Sequence, residues 1–206
     1  WWRHEPSLPV FPHWNWEGKE GQEIAVWAYY NLDEVELLVN SRSIGRQTVP
    51  KLGHVQWKVA YEPGVIEARA FKDGSRVLSQ TRETTGPDEE IRLTADRREI
   101  DANGEAVALI KVEALDRHGR PVPTANDKLV FRVSGAGRLI GVGNGDPNCL
   151  ESDKGPQRSL FNGLAQVIVQ SNGQPGRIRM EASRAGASGA GLRSAALTLT
   201  AKQVDR

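Results

Sequence analysis

The 206-residue sequence predicts an all-β protein made of two immunoglobulin-like, fibronectin-type β-sandwich domains in tandem. Three observations predict it. Short segments rich in Val, Ile, Trp, Tyr and Thr alternate apolar with polar residues, the period of a strand with one face in a core, and helical periodicity is not visible in them. Turn residues separate these segments at the spacing of a β-sandwich. Tryptophan usage also stops abruptly, since all six tryptophans fall within the first 57 residues. The length suits one large domain or two of about 100 residues each. The break at Thr85-Gly86-Pro87-Asp88 decides for two, at 1–87 and 88–206.

Strand-like segments in the first part run through 24–30, 34–40, 55–61, 64–71 and 76–84. In Val35-Leu37-Val39 and Trp57-Val59-Tyr61 the apolar side chains alternate with Glu34, Glu36, Lys58 and Ala60, so each segment puts one face in a core. Trp27 and Trp57, both in strands, are expected in that core. Lys72-Asp73-Gly74-Ser75 is a hairpin turn, because Asp-Gly tolerates positive φ, and Pro63-Gly64 is another turn. The second part has candidate strands at 90–95, 106–115, 128–134, 138–142, 164–170, 176–183 and 194–201. Asn103-Gly104, Arg117-His118-Gly119-Arg120, Ser134-Gly135-Ala136-Gly137 and Asn172-Gly173 lie between them as turns. Residues 143–162 form a long Gly/Pro/Asn/Asp-rich connection, of a length that is usually functional or partly disordered. Residues 185–193 read as a flexible link before the last strand.

Composition excludes several function classes. A formal net charge of +1, with both signs interspersed, leaves no electrostatic footprint for nucleic acid or an anionic membrane. No apolar run approaches the roughly 20 residues that span a bilayer. The chain opens on Trp1-Trp2-Arg3-His4 with no charged-then-apolar leader, and is expected to be a piece of a longer polypeptide whose compartment it does not reveal. Cys149 is alone, so it forms no internal disulfide and no Cys-based metal site.

Four segments carry a resemblance. Pro12-His13-Trp14-Asn15-Trp16 resembles the start of the small β-sandwich that follows the catalytic barrel in bacterial glycoside hydrolase family 2 enzymes, the β-galactosidase group. Asp33-Glu34-Val35-Glu36-Leu37-Leu38-Val39-Asn40-Ser41-Arg42-Ser43-Ile44-Gly45 resembles that family's next strand, with Ser41 where a glycine is usual. Gly143-Asn144-Gly145-Asp146-Pro147 and Ser159-Leu160-Phe161-Asn162-Gly163-Leu164-Ala165 resemble its last immunoglobulin-like domain. The four occur in the family's order across both halves of the chain. The resemblance implies a C-terminal accessory region, without catalysis of its own, of a retaining β-galactosidase-like enzyme. It also implies that the partner is the catalytic domain of that parent, with a bacterial periplasmic or secreted setting compatible. β-Glucuronidases and β-mannosidases share the family, so the sugar stays open. Asp116-x-x-Gly119-x-Pro121 is also similar to invasin-type repeats, which keeps an adhesin or stalk segment as an alternative.

The residues themselves offer little catalytic chemistry. A retaining glycosidase needs two carboxylates about 5–5.5 Å apart, and in the family this pair sits on a barrel of about 250 residues. The chain is too short and too β-rich to hold one. Glu17, Glu20 and Glu23 read as a solvated loop cluster, and no Gly-x-Ser-x-Gly nucleophile turn occurs. His4, His13, His54 and His118 are scattered, so no metal or cofactor is assigned; calcium through Asn144, Asp146 and Asn148 is the one version worth keeping. The tryptophans remain. Aromatic faces stack on sugar rings, and Trp14 and Trp16, two apart, point the same way if extended. His13, Trp14, Asn15 and Trp16, with Trp1 and Trp2 beside them, are therefore candidates for contact with carbohydrate or with a neighbouring domain. An independent carbohydrate-binding module is the rival reading. Asn144, Asp146 and Asn162 form a candidate loop site.

Overall fold

The computed structural model describes residues 11–186 and 192–203. The described residues are all strand, turn and loop, and they divide into two compact units, Trp1–Thr84 and Thr85–Arg206. The first unit contains β1 (Glu23–Ala28), β2 (Glu34–Val39), β3 (Arg42–Thr48), β4 (Val55–Ala60), β5 (Val65–Lys72) and β6 (Ser75–Glu83). A two-stranded sheet, β1-β4, faces a four-stranded sheet, β3-β2-β5-β6. Period two decides which residues meet: Val35, Leu37 and Val39 of β2 and Val55, Trp57 and Val59 of β4 are buried in one core.

Trp57 lies in that core as expected, but Trp27 does not. Val26 pairs with Trp57 and Ala28 with Val55, so the alternation turns Trp27 to the other face of β1. There it is half-buried, and its ring stacks on His54 at 4.8 Å. Strand membership does not choose a face; register does.

Two tight hairpins set the four-stranded sheet. At β5–β6, Asp73 and Gly74 take φ of 48° and 77°, the positive pair of a type I′ turn. At β2–β3, Asn40 and Ser41 do the same at 48° and 67°. The Asn40 side chain steadies this turn, with Oδ1 accepting from Val65 N at 2.9 Å and Nδ2 donating to Pro63 O at 3.2 Å. The hairpin therefore forms with serine in place of the usual glycine. β3 has no counterpart in the sequence reading because it is a polar edge strand containing Gly45 and shows no apolar alternation.

The second unit contains β7 (Glu90–Ala95), β8 (Glu99–Asp101), β9 (Val107–Leu115), β10 (Lys128–Gly135), β11 (Gly137–Gly143), β12 (Gln157–Ser159), β13 (Leu164–Ser171), β14 (Gly176–Arg184) and β15 (Ala195–Lys202). A five-stranded sheet, β12-β10-β14-β15-β8, covers a four-stranded one, β11-β13-β9-β7. Pairing is antiparallel except between β15 and β8. Ile110, Val112, Val167 and Val169 meet Phe131, Ile178, Met180 and Leu199 between the sheets. The chain crosses from one sheet to the other at Gly135, where φ is 86° and any Cβ would strike the Arg177 carbonyl oxygen. β8 and β12, at three residues each, are too short to show a period.

The 143–162 connection is fastened down. Arg158 is 5% exposed; it donates to Glu151 O at 2.8 Å and pairs with Asp153 at 2.9 Å. The Glu151 carboxylate takes Ser159 N at 2.7 Å and Lys128 Nζ at 3.1 Å. The proposed link at 185–193 lies partly outside the described residues, but Arg193 is anchored, its N–H donating to Glu89 O at 2.7 Å.

Asp116 ties the start of the second unit to its 116–120 turn. It is 1% exposed, and its carboxylate accepts from Gly86 N, His118 N and Arg120 N and from the Arg120 guanidinium at 2.7 Å. Burial alone would raise its pKa, but the Arg120 side chain and these N–H groups outweigh burial and hold it well below the ordinary 3.8.

Two outcomes follow from this geometry. Ser41→Gly relieves a left-handed residue and should stabilise the first unit by about 1 kcal/mol in denaturant titration. Asp116→Asn should cost the second unit about 3–5 kcal/mol at neutral pH. Because the folded pKa is depressed, the charge stabilises above the unfolded value and that stabilisation is lost as pH falls through the folded value. The variant should accordingly show a flatter decline in stability below about pH 4.

Candidate functional site

The two sheets of the first unit are unequal, and the mismatch opens a groove. β6 extends past the cover of β1-β4, so Gln80 and Arg82, paired with Ala68 and Ile66 and hence on the inward side, stay exposed. Across from them runs β1, which among the described residues pairs only with β4. Gln22 and Tyr61 sit opposite each other and are bonded through Tyr61 N–H to Gln22 O. By the antiparallel alternation, the backbone groups of Glu23, Ala25 and Trp27 then lie on the free edge. The resulting groove holds about 670 Å³.

The leading segment forms one end of this groove. Trp14 is 2% exposed, meets Tyr61 edge-to-face at 5.1 Å, and donates from Nε1 to Glu62 O at 3.0 Å. Its carbonyl accepts from Thr84 Oγ1 at 2.6 Å, and Pro12 O accepts from Arg82 Nε at 2.9 Å. The segment is thereby held at both ends against the end of β6. Trp16 is half-buried against the same core, so both tryptophans turn to one side. His13 lies 4.9 Å from the Trp16 ring, and Phe11 lies beyond it. His13 Nδ1 accepts from Asn15 N at 3.1 Å, and burial lowers the pKa of the imidazole, so a neutral ring fits both observations. Trp1 and Trp2 lie outside the described residues.

The groove pairs aromatic walls with unsatisfied polar atoms. Tyr30 lines it beside Trp16, with Trp27 and Tyr29 at its border and their rings grouped around His54, while Lys19, Gln80 and Arg82 add polar ends. Among the described residues, buried Trp16 Nε1 and Tyr30 Oη have no hydrogen-bond partner. Burial raises the Tyr30 pKa, and the nearby Arg82 opposes this. Sequence reasoning found His13, Trp14 and Trp16 but missed Lys19, Tyr30, Gln80 and Arg82. The available signal was Gln80 and Arg82 at inward positions of a strand otherwise expected to alternate.

The loop candidates are used internally. Asn144 donates to Ser159 O at 3.0 Å and accepts from Asp146 N at 3.0 Å, and Asp146 accepts from Asn148 N at 2.9 Å. Asn162, with φ of 52°, forms a type I′ turn with Gly163. Thus Asn144 and Asp146 are joined directly, while Asn162 shapes the following hairpin. Among the described residues, no three His, Cys, Asp or Glu gather to hold a metal. Elsewhere burial first and then the neighbouring Asp127, which pairs with Arg184, raise the Asp88 pKa.

Comparison with known proteins now bears on this geometry. Residues 91–193, half of the chain, match the family described as glycoside hydrolase family 2 C-terminal domain 5. The chain belongs to glycoside hydrolase family 2. Residues 21–78 match a domain of unknown function, DUF4982, so this C-terminal region joins two family domains. The β-galactosidase BoGH2A of Bacteroides ovatus is 39% identical over 98% of this chain and 23% of its own length. A β-glucuronidase of Formosa agariphila is 33% identical over 90% of this chain and 19% of its own length. The crystal structure of a family 2 member from Bacteroides cellulosilyticus superposes with a TM-score of 0.87 at 32% identity, covering 96% of this chain and 27% of that one. This family 2 region therefore spans about a quarter or less of the curated relatives it matches.

The two tryptophans should separate by their burial. Trp14→Ala is expected to cost about 3–5 kcal/mol in denaturant unfolding, whereas Trp16→Ala, which starts half-exposed, should cost about half as much or less.

Proposed function

We propose that this chain is the non-catalytic C-terminal accessory region of a β-galactosidase-like family 2 glycosidase. In this reading it serves carbohydrate metabolism by supporting the catalytic domain, the rim of its active site, or an oligomer interface. One observation carries the reading: the chain matches a β-galactosidase over 98% of its own length but 23% of the relative's. The greater part of such an enzyme, with the carboxylate pair its chemistry requires, then lies in other polypeptide.

The catalytic domain of the parent is the partner. His13, Trp14, Asn15 and Trp16 form the segment that makes the contact, with Trp14 fixing it from within the core and Trp16 standing at the rim of the groove. Support comes from the aromatic exposure around them, since Phe11 is 41% and Tyr29 58% exposed, more than an isolated surface tolerates without a use. Asn144, Asp146 and Asn162 serve by shaping their loop. The two units fold as separate cores, each with its own buried cluster.

The test is an assay of the purified 206-residue chain. It should hydrolyse no aryl β-galactoside, β-glucuronide or β-mannoside above background. Turnover that disappears when one of its own Glu or Asp residues is substituted would overturn the proposal.

A further inference from the structure

We propose that the groove of the first unit binds an anionic saccharide, a sugar carrying a carboxylate or a sulfate. This goes beyond the accessory role, which requires no ligand. Size comes first: about 670 Å³ falls in the range of small-molecule sites. The walls suit a sugar, because Trp16 and Tyr30 line the groove and offer aromatic surface to the C–H face of a pyranose.

Two buried atoms ask for a polar ligand. Trp16 Nε1 and Tyr30 Oη have no hydrogen-bond partner among the described residues, and buried donors are ordinarily satisfied. Both residues line the groove, where a small turn of either side chain would bring its enclosed donor to a hydroxyl or carboxylate oxygen. The charge around them decides the class of sugar. Lys19 and Arg82 line the groove, and neither pairs with a carboxylate among the described residues. Glu23, the acidic residue of the lining, is paired with Lys58 at 3.0 Å. Arg82 is held in place through Nε on Pro12 O and Nη1 on Thr81 O, which leaves Nη2 for a ligand.

A rival occupant is an extended peptide strand added to the free edge of β1. The groove disfavours it. The opposing inward positions on β6 are Gln80 and Arg82, and a strand completing an apolar sandwich would bury that guanidinium without a counter-ion.

The experiment titrates the 206-residue chain at low salt, by calorimetry and tryptophan fluorescence. The probes are a glucuronate-containing disaccharide, a sulfated galactose disaccharide and a neutral galactose disaccharide. Saturable binding of at least one acidic sugar is expected, about tenfold tighter than the neutral one and weakened by added salt. Which acid binds identifies the anion. Lys19→Gln should weaken acidic binding about threefold and leave neutral binding unchanged, the size expected of an exposed charge. Tyr30→Phe removes only the orphan hydroxyl and should weaken binding while the melting temperature holds. No saturation with any probe up to about 20 mM overturns the proposal, as does equal affinity for acidic and neutral sugars or indifference to both variants. Protection of the β1 edge by an added apolar peptide, in the absence of sugar binding, would overturn it in favour of strand addition.

Discussion

Burial of the Trp14 indole is the constraint on which the first unit depends. A single ring closes the end of a core that two strands of β1-β4 cannot cover, and its carbonyl and Nε1 reach across to Thr84 and Glu62. Contacts 70 and 48 residues apart in sequence thus hold the leading segment against the exit from β6. Because the segment is fixed there, Phe11, His13 and Trp16 stand at the groove's end. The groove is the space that an unequal pair of sheets leaves and that Trp14 only partly fills.

The second unit solves a different problem. Its two sheets match well enough to bury a continuous core, so its polar chemistry serves connections instead. Asp116 gathers the N–H groups of a tight turn and of Gly86, while Arg158 and Glu151 clamp the long loop to β12. Charges this enclosed are costly unless paired, and here Asp116 meets Arg120 and Arg158 meets Asp153, while Arg158 Nε and Asp88 Oδ2 have no partner among the described residues. Loop length alone therefore misleads about this region. A loop with its own buried arginine behaves as part of the framework, and Asn144 and Asp146 are among its fastenings.

What could be read in advance followed the strength of the local signal. β4 and β13 alternate throughout, β2 and β9 over their first parts, and all four stand where alternation puts them. β3 was hidden because edge strands carry polar residues on both faces, and β8 and β12 because three residues show no period. The hairpin at Asn40-Ser41 formed despite its serine, since the Asn40 side chain contributes two bonds of its own to the turn. Trp27 fell on the outer face because burial follows register with β4, which no local window contains.

The sequence alone determined the all-β character, the sites of tight reversal, the aromatic concentration near the first unit's leading segment, and the family resemblance. These are properties of neighbours along the chain: period two, positive-φ turn residues and short motifs. Only the tertiary structure decided that Trp14 is core while Trp16 borders a groove. It alone brought Lys19, Tyr30 and Arg82 to the groove that this ring borders and left Trp16 Nε1 and Tyr30 Oη without partners among the described residues. Those outcomes depend on how far one sheet overhangs another, which is set by strand counts and pairings between residues distant in sequence.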